Sequence, residues 1–358
     1  MRLPPLNVTS AWPQPNYTNP EHRGPGLLIV ELLTLSIALT CLGLRMYVRL
    51  VKIRLTWWDD WMMVGAAVFC IGVTMCVILA TELYGWSIHI WDVPSRKITQ
   101  SRQVSIAAQT LFLFASGLSK LSILASYLRI AVPGTWFSRL TWVTGVIVFI
   151  LMWTFLAILW TQCGPIWHYW TLFANWEGNC IQEWPPLAGH GITTVMTDIA
   201  VYLLPIPTLF KLQMPLMQRI SLVVLVGIGL LVVAAGILRT YWVLYVEINI
   251  VKDPTYDLTW DSYNIWIWTA LEVNLAIICG CAPAIRRFFT KTGNQTPFKV
   301  SNSVHTIGSS GIKRWSRTKR PMRRENVEDH GLGSFESLES NDTSEIELVQ
   351  SQEEAEKS

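Results

Sequence analysis

The chain has 358 residues, of which 51% are hydrophobic and 15% are charged, and its formal net charge is +3. A soluble domain carries roughly 25% charged residues, so this composition excludes an ordinary soluble globular protein. The mean hydropathy of +0.34 agrees. We therefore expect membrane lipid, and no nucleic acid, as the main partner.

The first segment, residues 1–25, is polar and rich in proline. It lacks the apolar core of a signal peptide, so we expect the first membrane helix to act as its own insertion signal. Two sequons, at Asn7 and Asn16, make these asparagines candidate glycosylation sites if the segment lies outside the cytosol.

Long apolar runs separated by short polar connections dominate the next part of the chain. Each run is close to the ~20 residues that a helix needs to cross a bilayer, whereas a helix of a soluble protein keeps one face polar. We therefore predict an all-α polytopic membrane protein with a seven-transmembrane bundle over residues 26–287. The runs are 26–44, 61–80, 104–125, 140–160, 192–210, 220–238 and 262–282.

Basic residues sit in alternate connections, which predicts the orientation of the bundle. The connection 162–189 contains none. We predict an extracellular or lumenal N-terminus and a cytosolic C-terminus, in the plasma membrane or an endomembrane. The basic residues follow helices 1, 3 and 5, and they are Arg45, Arg49, Lys52, Arg54, Arg129, Arg139, Lys211 and Arg219.

Two cysteines, Cys163 and Cys180, lie in the connection without basic residues, on the predicted oxidising side. A bridge between them would close a loop of about 16 residues and stabilise the fold by roughly 3 kcal/mol in the chain-entropy model. Two free thiols are the alternative.

Tryptophan is unusually frequent, with 19 residues, many of them near the predicted outer face. An interfacial aromatic belt explains most of these positions. Trp167, Trp170 and Trp176 fit a belt less well because they lie between Cys163 and Cys180. They suggest instead a lid over a cavity that binds a flat, apolar ligand.

Several ionisable residues fall inside the apolar runs, where an unpaired charge is costly. Lys120 lies in the inner half of helix 3, and Asp59 and Asp60 begin helix 2 at the same depth. We therefore predict that one of these aspartates pairs with Lys120 in a structural ion pair. Asp198 and Glu272 would then lack a cation and could line a polar ligand site.

Helix 5 carries a polar stripe, with His190, Thr194, Asp198 and Tyr202 spaced every four residues. Such a stripe should face the interior of the bundle. It predicts either a structural lock between helices or the floor of a ligand site or proton path.

The last segment, residues 288–358, is basic in its first part and acidic in its second, with few aromatic residues. This composition predicts a disordered cytosolic tail. The basic part, close to the membrane, should attract anionic lipid.

Five groups of residues form one ordered set of motifs. They are Arg45-Met46-Tyr47-Val48-Arg49 with Asp59-Asp60-Trp61; Lys120-Leu121-Ser122-Ile123-Leu124 with Tyr127 and Arg129; the Cys163 and Cys180 pair with intervening tryptophan; Asp198 with Leu204-Pro205-Ile206-Pro207; and Glu272 with Pro283. Over residues 26–287, this set resembles the fungal rhodopsin-like domain family of seven-helix integral membrane proteins. Some members resemble Pth-type receptors, and others are encoded in secondary-metabolite gene clusters such as the satratoxin cluster.

The chain departs from the family after helix 2. Members often carry Gly-x-Gly-x-His there, whereas this chain has Gly85-Trp86-Ser87-Ile88-His89. Light-driven opsins hold retinal through a lysine of helix 7, and this helix contains none, so we expect no cofactor. The six histidines are too scattered to predict a metal site.

Three functions are consistent with these features. The first is a receptor-like or accessory membrane protein that binds a small apolar molecule and acts in a secondary-metabolite biosynthesis gene cluster. The second is a membrane enzyme in which Asp198, Glu272 or His190 is a general acid or base for a cyclisation or isomerisation. The third is a transporter, which an odd number of helices without an inverted repeat disfavours.

Overall fold

The structure is a computed structural model that describes residues 12–171, 180, 181, 183–206, 216–252 and 256–290. The predictions for Asn7, for Trp176 and for the tail beyond residue 290 lie outside these residues.

The described part of the chain is helical, with seven α-helices. They are α1 (Gly26–Tyr47), α2 (Trp58–Glu82), α3 (Ser95–Ile130), α4 (Trp136–Thr161), α5 (Trp184–Leu203), α6 (Leu216–Lys252) and α7 (Leu258–Thr290). All except α5 contain a stretch long and apolar enough to cross a membrane. The helix α5 is shorter, at 20 residues, and carries the polar stripe. The prediction of an all-α polytopic membrane protein is confirmed.

The helices extend beyond the apolar runs that predicted them. The helix α3 begins at Ser95, before residue 104, and α6 continues past residue 238 to Lys252. Hydropathy marks the part of a helix within hydrocarbon, but its backbone hydrogen bonds continue into polar surroundings. The helix α7 also continues past the apolar run 262–282, through Pro283, to Thr290.

The helices form a closed ring in chain order, in which α7 packs against both α6 and α1, and α3 also contacts α5 and α7. Most of the spans of α3 and α7 are buried, whereas only 22% of the α4 span is buried. Trp142 and Phe149 on α4 are exposed and available to lipid. The polar residues of α3 and α7 are therefore placed in the interior of the ring.

Close approaches between α5 and α6 occur at glycines. A Cβ atom at Gly191 would lie 2.8 Å from Oγ1 of Thr240, and one at Gly229 would lie 2.8 Å from the ring of Tyr202. Small residues let helix backbones approach closely in membranes. These contacts bring the polar stripe of α5 against α6.

Candidate functional site

One end of the bundle, which we call the inner half, contains Arg45, Arg49, Asp59 and Asp60. Arg45 on α1 lies 3.0 Å from Asp59 and 3.0 Å from Asp60, at the start of α2. Arg49 lies 3.3 Å from Asp59. All four side chains are buried. The carboxylates also suit the N-terminal turn of α2.

Further bonds tie this inner network to the other central helices. Nη1 of Arg45 donates to the carbonyl of Gly280 on α7 at 2.6 Å. The Ser126 hydroxyl of α3 donates to Asp59 at 3.1 Å, and Arg129 of α3 lies 3.8 Å from the same carboxylate. The network therefore fixes the inner ends of α1, α2, α3 and α7.

Lys120 does not pair with Asp59 or Asp60, so our prediction is wrong. Its Nζ lies 3.1 Å from Oδ1 of Asp198 on α5. It also donates to the Thr194 carbonyl at 3.1 Å and to the Thr197 hydroxyl at 3.1 Å. The depth argument failed because Arg45 and Arg49 were treated as residues of a loop, and they already neutralise the two aspartates.

Glu272 also has a cation, which the sequence analysis missed. Nε of Arg239 on α6 donates to Oε2 of Glu272 on α7 at 2.7 Å. The predicted apolar run of helix 6 ended at Leu238, so Arg239 was not considered as a residue inside the membrane. The continuing helical periodicity of apolar residues after Arg239 could have identified it as intramembrane.

The other end of the bundle, the outer half, contains the N-terminal end of α1 and a cavity between α3, α4, α5, α6 and α7. This outer cavity has a volume of about 140 Å³, counted as the space open to the centre of a water molecule. The residues that line it include Trp86, Arg102, Ala108, Gln109, Phe112, Phe155, Tyr169, Glu183, His190, Arg239, Glu247, Ser262, Trp266 and Thr269. Asp198 and Glu272, which we predicted as pocket residues, are not among its lining residues.

The inner wall of the outer cavity combines aromatic rings with polar groups. The Arg239 guanidinium lies 4.7 Å from the ring centroid of Phe112. The His190 ring makes edge contacts with Phe155 at 5.0 Å and with Phe112 at 5.8 Å. Its Nε2 is 3.3 Å from the Thr194 hydroxyl. This wall suits an apolar molecule with a few polar groups.

The outer rim of the cavity contains a second charge pair. Arg102 of α3 donates to Glu183 at 2.9 Å, and its guanidinium lies 4.9 Å from the ring centroid of Tyr169. Burial raises the pKa of the Tyr169 phenol, with a smaller contribution from the Glu183 carboxylate. The phenol therefore remains protonated and neutral in the ordinary pH range.

The connection between α4 and α5 contains a disulfide between Cys163 and Cys180, which confirms that prediction. Trp167 and Trp170, the two described tryptophans of this connection, are not among the lining residues of the cavity. Trp167 is 57% exposed, and Trp170 packs beside Cys163 and Tyr169. The tryptophans found in the cavity wall are Trp86 and Trp266, from the connection after α2 and from α7.

Residues 85–89, whose sequence differs from the Gly-x-Gly-x-His of the family, lie at the outer half of the bundle. The Trp86 indole donates to the Ser101 hydroxyl. The His89 ring stacks between Trp91 and Trp260, at centroid distances of 4.8 Å and 4.2 Å, and contacts Asp257. These contacts join the connections before α3 and α7 into a cover.

The N-terminal segment packs on this cover. The backbone N–H of Asn16 donates to Oδ1 of Asp92 at 2.7 Å. The Arg23 guanidinium lies over the rings of Trp260 and Tyr263. The Asn16 side chain is exposed, and its Nδ2 donates to the carbonyl of Asn19 at 2.9 Å. Its glycosylation stays a prediction.

The three candidate catalytic residues are not brought into one site. Asp198 and Glu272 are buried in ion pairs with Lys120 and Arg239, and only His190 lines the outer cavity. The geometry suits binding more closely than acid–base catalysis.

Comparison with known proteins gives a consistent family. The model of the fungal rhodopsin domain matches residues 44–291. Receptor GIN3 of Arthrobotrys oligospora is 24% identical over 245 residues, which are 66% of this chain and 56% of that protein. A SAT4 family membrane protein of Emericella nidulans is 26% identical over 65% of this chain and 58% of its own length. The chain thus spans a little over half the length of these two relatives.

A third relative, Fugralins biosynthesis cluster protein 2 of Gibberella zeae, is 22% identical over 78% of this chain and 69% of that protein. No solved structure matches the chain. The family model covers more than half of the sequence. Its match includes the inner network, the Lys120–Asp198 and Arg239–Glu272 ion pairs, and the disulfide. The chain belongs to the fungal rhodopsin domain family of membrane proteins.

Proposed function

We propose that this protein is a receptor-like or accessory membrane protein that binds a small, largely apolar molecule in the outer cavity. The observation that carries the proposal is the cavity itself, walled by five helices and by the rings of Trp86, Phe112, Phe155 and Trp266. Apolar walls with a few convergent polar groups are typical of small-molecule sites.

The relatives support this proposal from two directions. One is named a receptor, and another is named for a biosynthesis cluster. We propose that the ligand is a secondary metabolite.

The basic segment after α7 has a separate proposed role. We propose that it holds anionic lipid of the cytosolic leaflet.

The bound molecule needs no covalent attachment of the opsin type. The sequence of α7 contains no lysine. Lys120, which is buried in the span of α3, is engaged by Asp198 and by two oxygen atoms of α5. We therefore propose reversible binding without a cofactor.

An enzyme remains the second candidate because His190 lines the cavity. In that case a neutral His190 would act as a general base on a bound substrate. A His190→Gln variant that binds the probe but no longer converts a pathway intermediate would favour this alternative.

A matched pair of substitutions on α3 tests the proposed site. Ala108 is buried and lines the cavity, whereas its neighbour Ala107 is exposed. Ala108→Phe should fill the cavity, and Ala107→Phe adds the same ring outside it. The probes are 2-isopropenylnaphthalene and 2-acetylnaphthalene, with dissociation constants measured in nanodiscs and corrected for uptake by empty nanodiscs.

We expect Ala108→Phe to weaken binding of both probes by at least about tenfold, because it removes the volume that a bicyclic molecule needs. Ala107→Phe should bind like the unmodified protein. Absence of binding to the unmodified protein, or equal binding by the two variants, would contradict the proposal.

A further inference from the structure

Two buried hydrogen-bond donors of the outer cavity have no acceptor among the residues that the structure describes. Arg239 and Trp266 both line the cavity, and they are 4% and 8% exposed. Within the described part of the chain, Nη2 of Arg239 and Nε1 of Trp266 have no hydrogen-bond partner. Trp86 lines the same cavity, but its indole already donates to Ser101.

The chemistry of these groups restricts what can satisfy them. A guanidinium and an indole N–H donate hydrogen bonds and accept none. A buried donor without a partner is unfavourable, since it has lost its bond to water. A molecule that fills the cavity should therefore present an acceptor to the wall formed by α6 and α7.

The charges around the cavity restrict the acceptor further. Arg239 is neutralised by Glu272 and Arg102 by Glu183, and a further carboxylate, Glu247, also lines the cavity. When Glu272 behind the wall is counted, three carboxylates and two guanidinium groups of the described residues lie at the cavity, so a ligand carboxylate would meet repulsion that is poorly screened. A neutral oxygen adds no charge.

We propose that the outer cavity selects a neutral, apolar molecule through a carbonyl-type oxygen, which accepts hydrogen bonds from Arg239 and Trp266. This selectivity rests on the proposed function, because it requires that the cavity is the binding site. Trp266 and Arg239 are then specificity-determining residues, and the aromatic walls supply contact with the apolar body.

Three probes of similar shape separate these contributions. The ketone 2-acetylnaphthalene carries C=O where 2-isopropenylnaphthalene carries C=CH₂, and 2-naphthoate carries a charged acceptor. In nanodiscs, after correction for lipid uptake, we expect the ketone to bind about tenfold more tightly than the hydrocarbon, as one hydrogen bond to a charged donor allows. The naphthoate should bind more weakly than the ketone.

Variants test whether the preference comes from the two donors. Trp266→Phe keeps an aromatic ring and removes the N–H, so the ketone preference should fall several-fold. Arg239→Met combined with Glu272→Leu removes the guanidinium without leaving a lone buried charge, and should have a similar effect. Trp86→Phe should weaken both probes equally and leave their affinity ratio unchanged, because its N–H is already bonded within the protein.

The outcomes distinguish the selectivity from the site. If both probes lose affinity in Ala108→Phe but the ketone shows no preference, or its preference survives Trp266→Phe and the Arg239 double variant, the selectivity is wrong and the site stands. Tighter binding of naphthoate would also contradict it. If Ala108→Phe affects neither probe, the proposed function itself fails.

Discussion

The inner and outer halves of the bundle both bury charged residues, but they use them differently. In the inner half, Arg45 of α1 donates to two aspartates of α2 and to a carbonyl of α7. Ser126 of α3 also donates to Asp59, so four helices are held together. In the outer half, Arg239 is held by Glu272 at one nitrogen, while Nη2 has no acceptor among the described residues.

This difference teaches that burial alone does not separate a structural charge from a functional one. Intramembrane charges are functional candidates by default. Nitrogens without a hydrogen-bond partner among the described residues occur in both halves, since Nε and Nη1 of Arg49 also lack one. The difference is that the inner charges join four helices, whereas the outer guanidinium borders a cavity. We therefore assign stability to the inner network and binding to the outer cavity.

The largest effect should come from the inner network. Arg45→Met leaves Asp59 and Asp60 with fewer cations in a buried site, and we expect a loss of about 3–5 kcal/mol in stability. Thermal unfolding and folded yield in detergent would measure it. Arg54→Met is the matched control because Arg54 is exposed, and it should change stability by less than about 0.5 kcal/mol. Equal effects of the two substitutions would remove the structural role of the network.

The ion pair between Lys120 and Asp198, in the middle of the bundle, should respond to substitution as a unit. Lys120→Met or Asp198→Leu alone leaves one buried charge and should cost about 3 kcal/mol, whereas the double variant should recover most of that loss. Strictly additive losses in the double-mutant cycle would show that the two residues do not interact.

The disulfide should contribute less. Cys163→Ser together with Cys180→Ser removes the constraint on the outer connection and should cost about 2–3 kcal/mol. Alkylation before and after reduction should label the two cysteines only after reduction. The control is Cys41→Ser, at a free and partly buried cysteine, which should change the melting temperature less than the double variant.

The smallest effect on stability should come from the test of orientation. Asn16→Gln should leave the melting temperature unchanged. Because we predict an extracellular or lumenal N-terminus, glycosidase treatment should shift the mobility of the wild-type protein on a gel. A tag after Ser358 should be reached by antibody only after permeabilisation. Labelling of the tag on intact cells would reverse the assignment of the two halves.

Much of the fold could be predicted from the sequence, because helix length and hydropathy follow directly from the bilayer. The inward polar stripe was also predictable, and Thr194, Asp198 and Tyr202 are buried as its spacing indicates. The helix ends were not, because α3 and α6 continue beyond hydrocarbon, where composition is no longer constrained.

Less of the site could be predicted. Partner choice among buried charges depends on which helices are neighbours and how each is rotated, and neither follows from depth alone. We therefore predicted no cation beside Asp198, and we did not identify Arg239 as the partner of Glu272. The tryptophans of the cavity wall were misassigned for a similar reason, since Trp86 and Trp266 are placed by packing, while Trp167 remains exposed.

Amide hydrogen exchange in nanodiscs, with and without 2-acetylnaphthalene, tests the contrast between the two halves most directly. Binding in the outer cavity should slow exchange in the helical segments that line it, 102–113, 155–162, 183–190, 239–247 and 258–269. Segment 45–60 of the inner network should be protected already and should not change. Slowed exchange in segment 45–60, or no ligand-dependent change in the outer segments, would contradict the account.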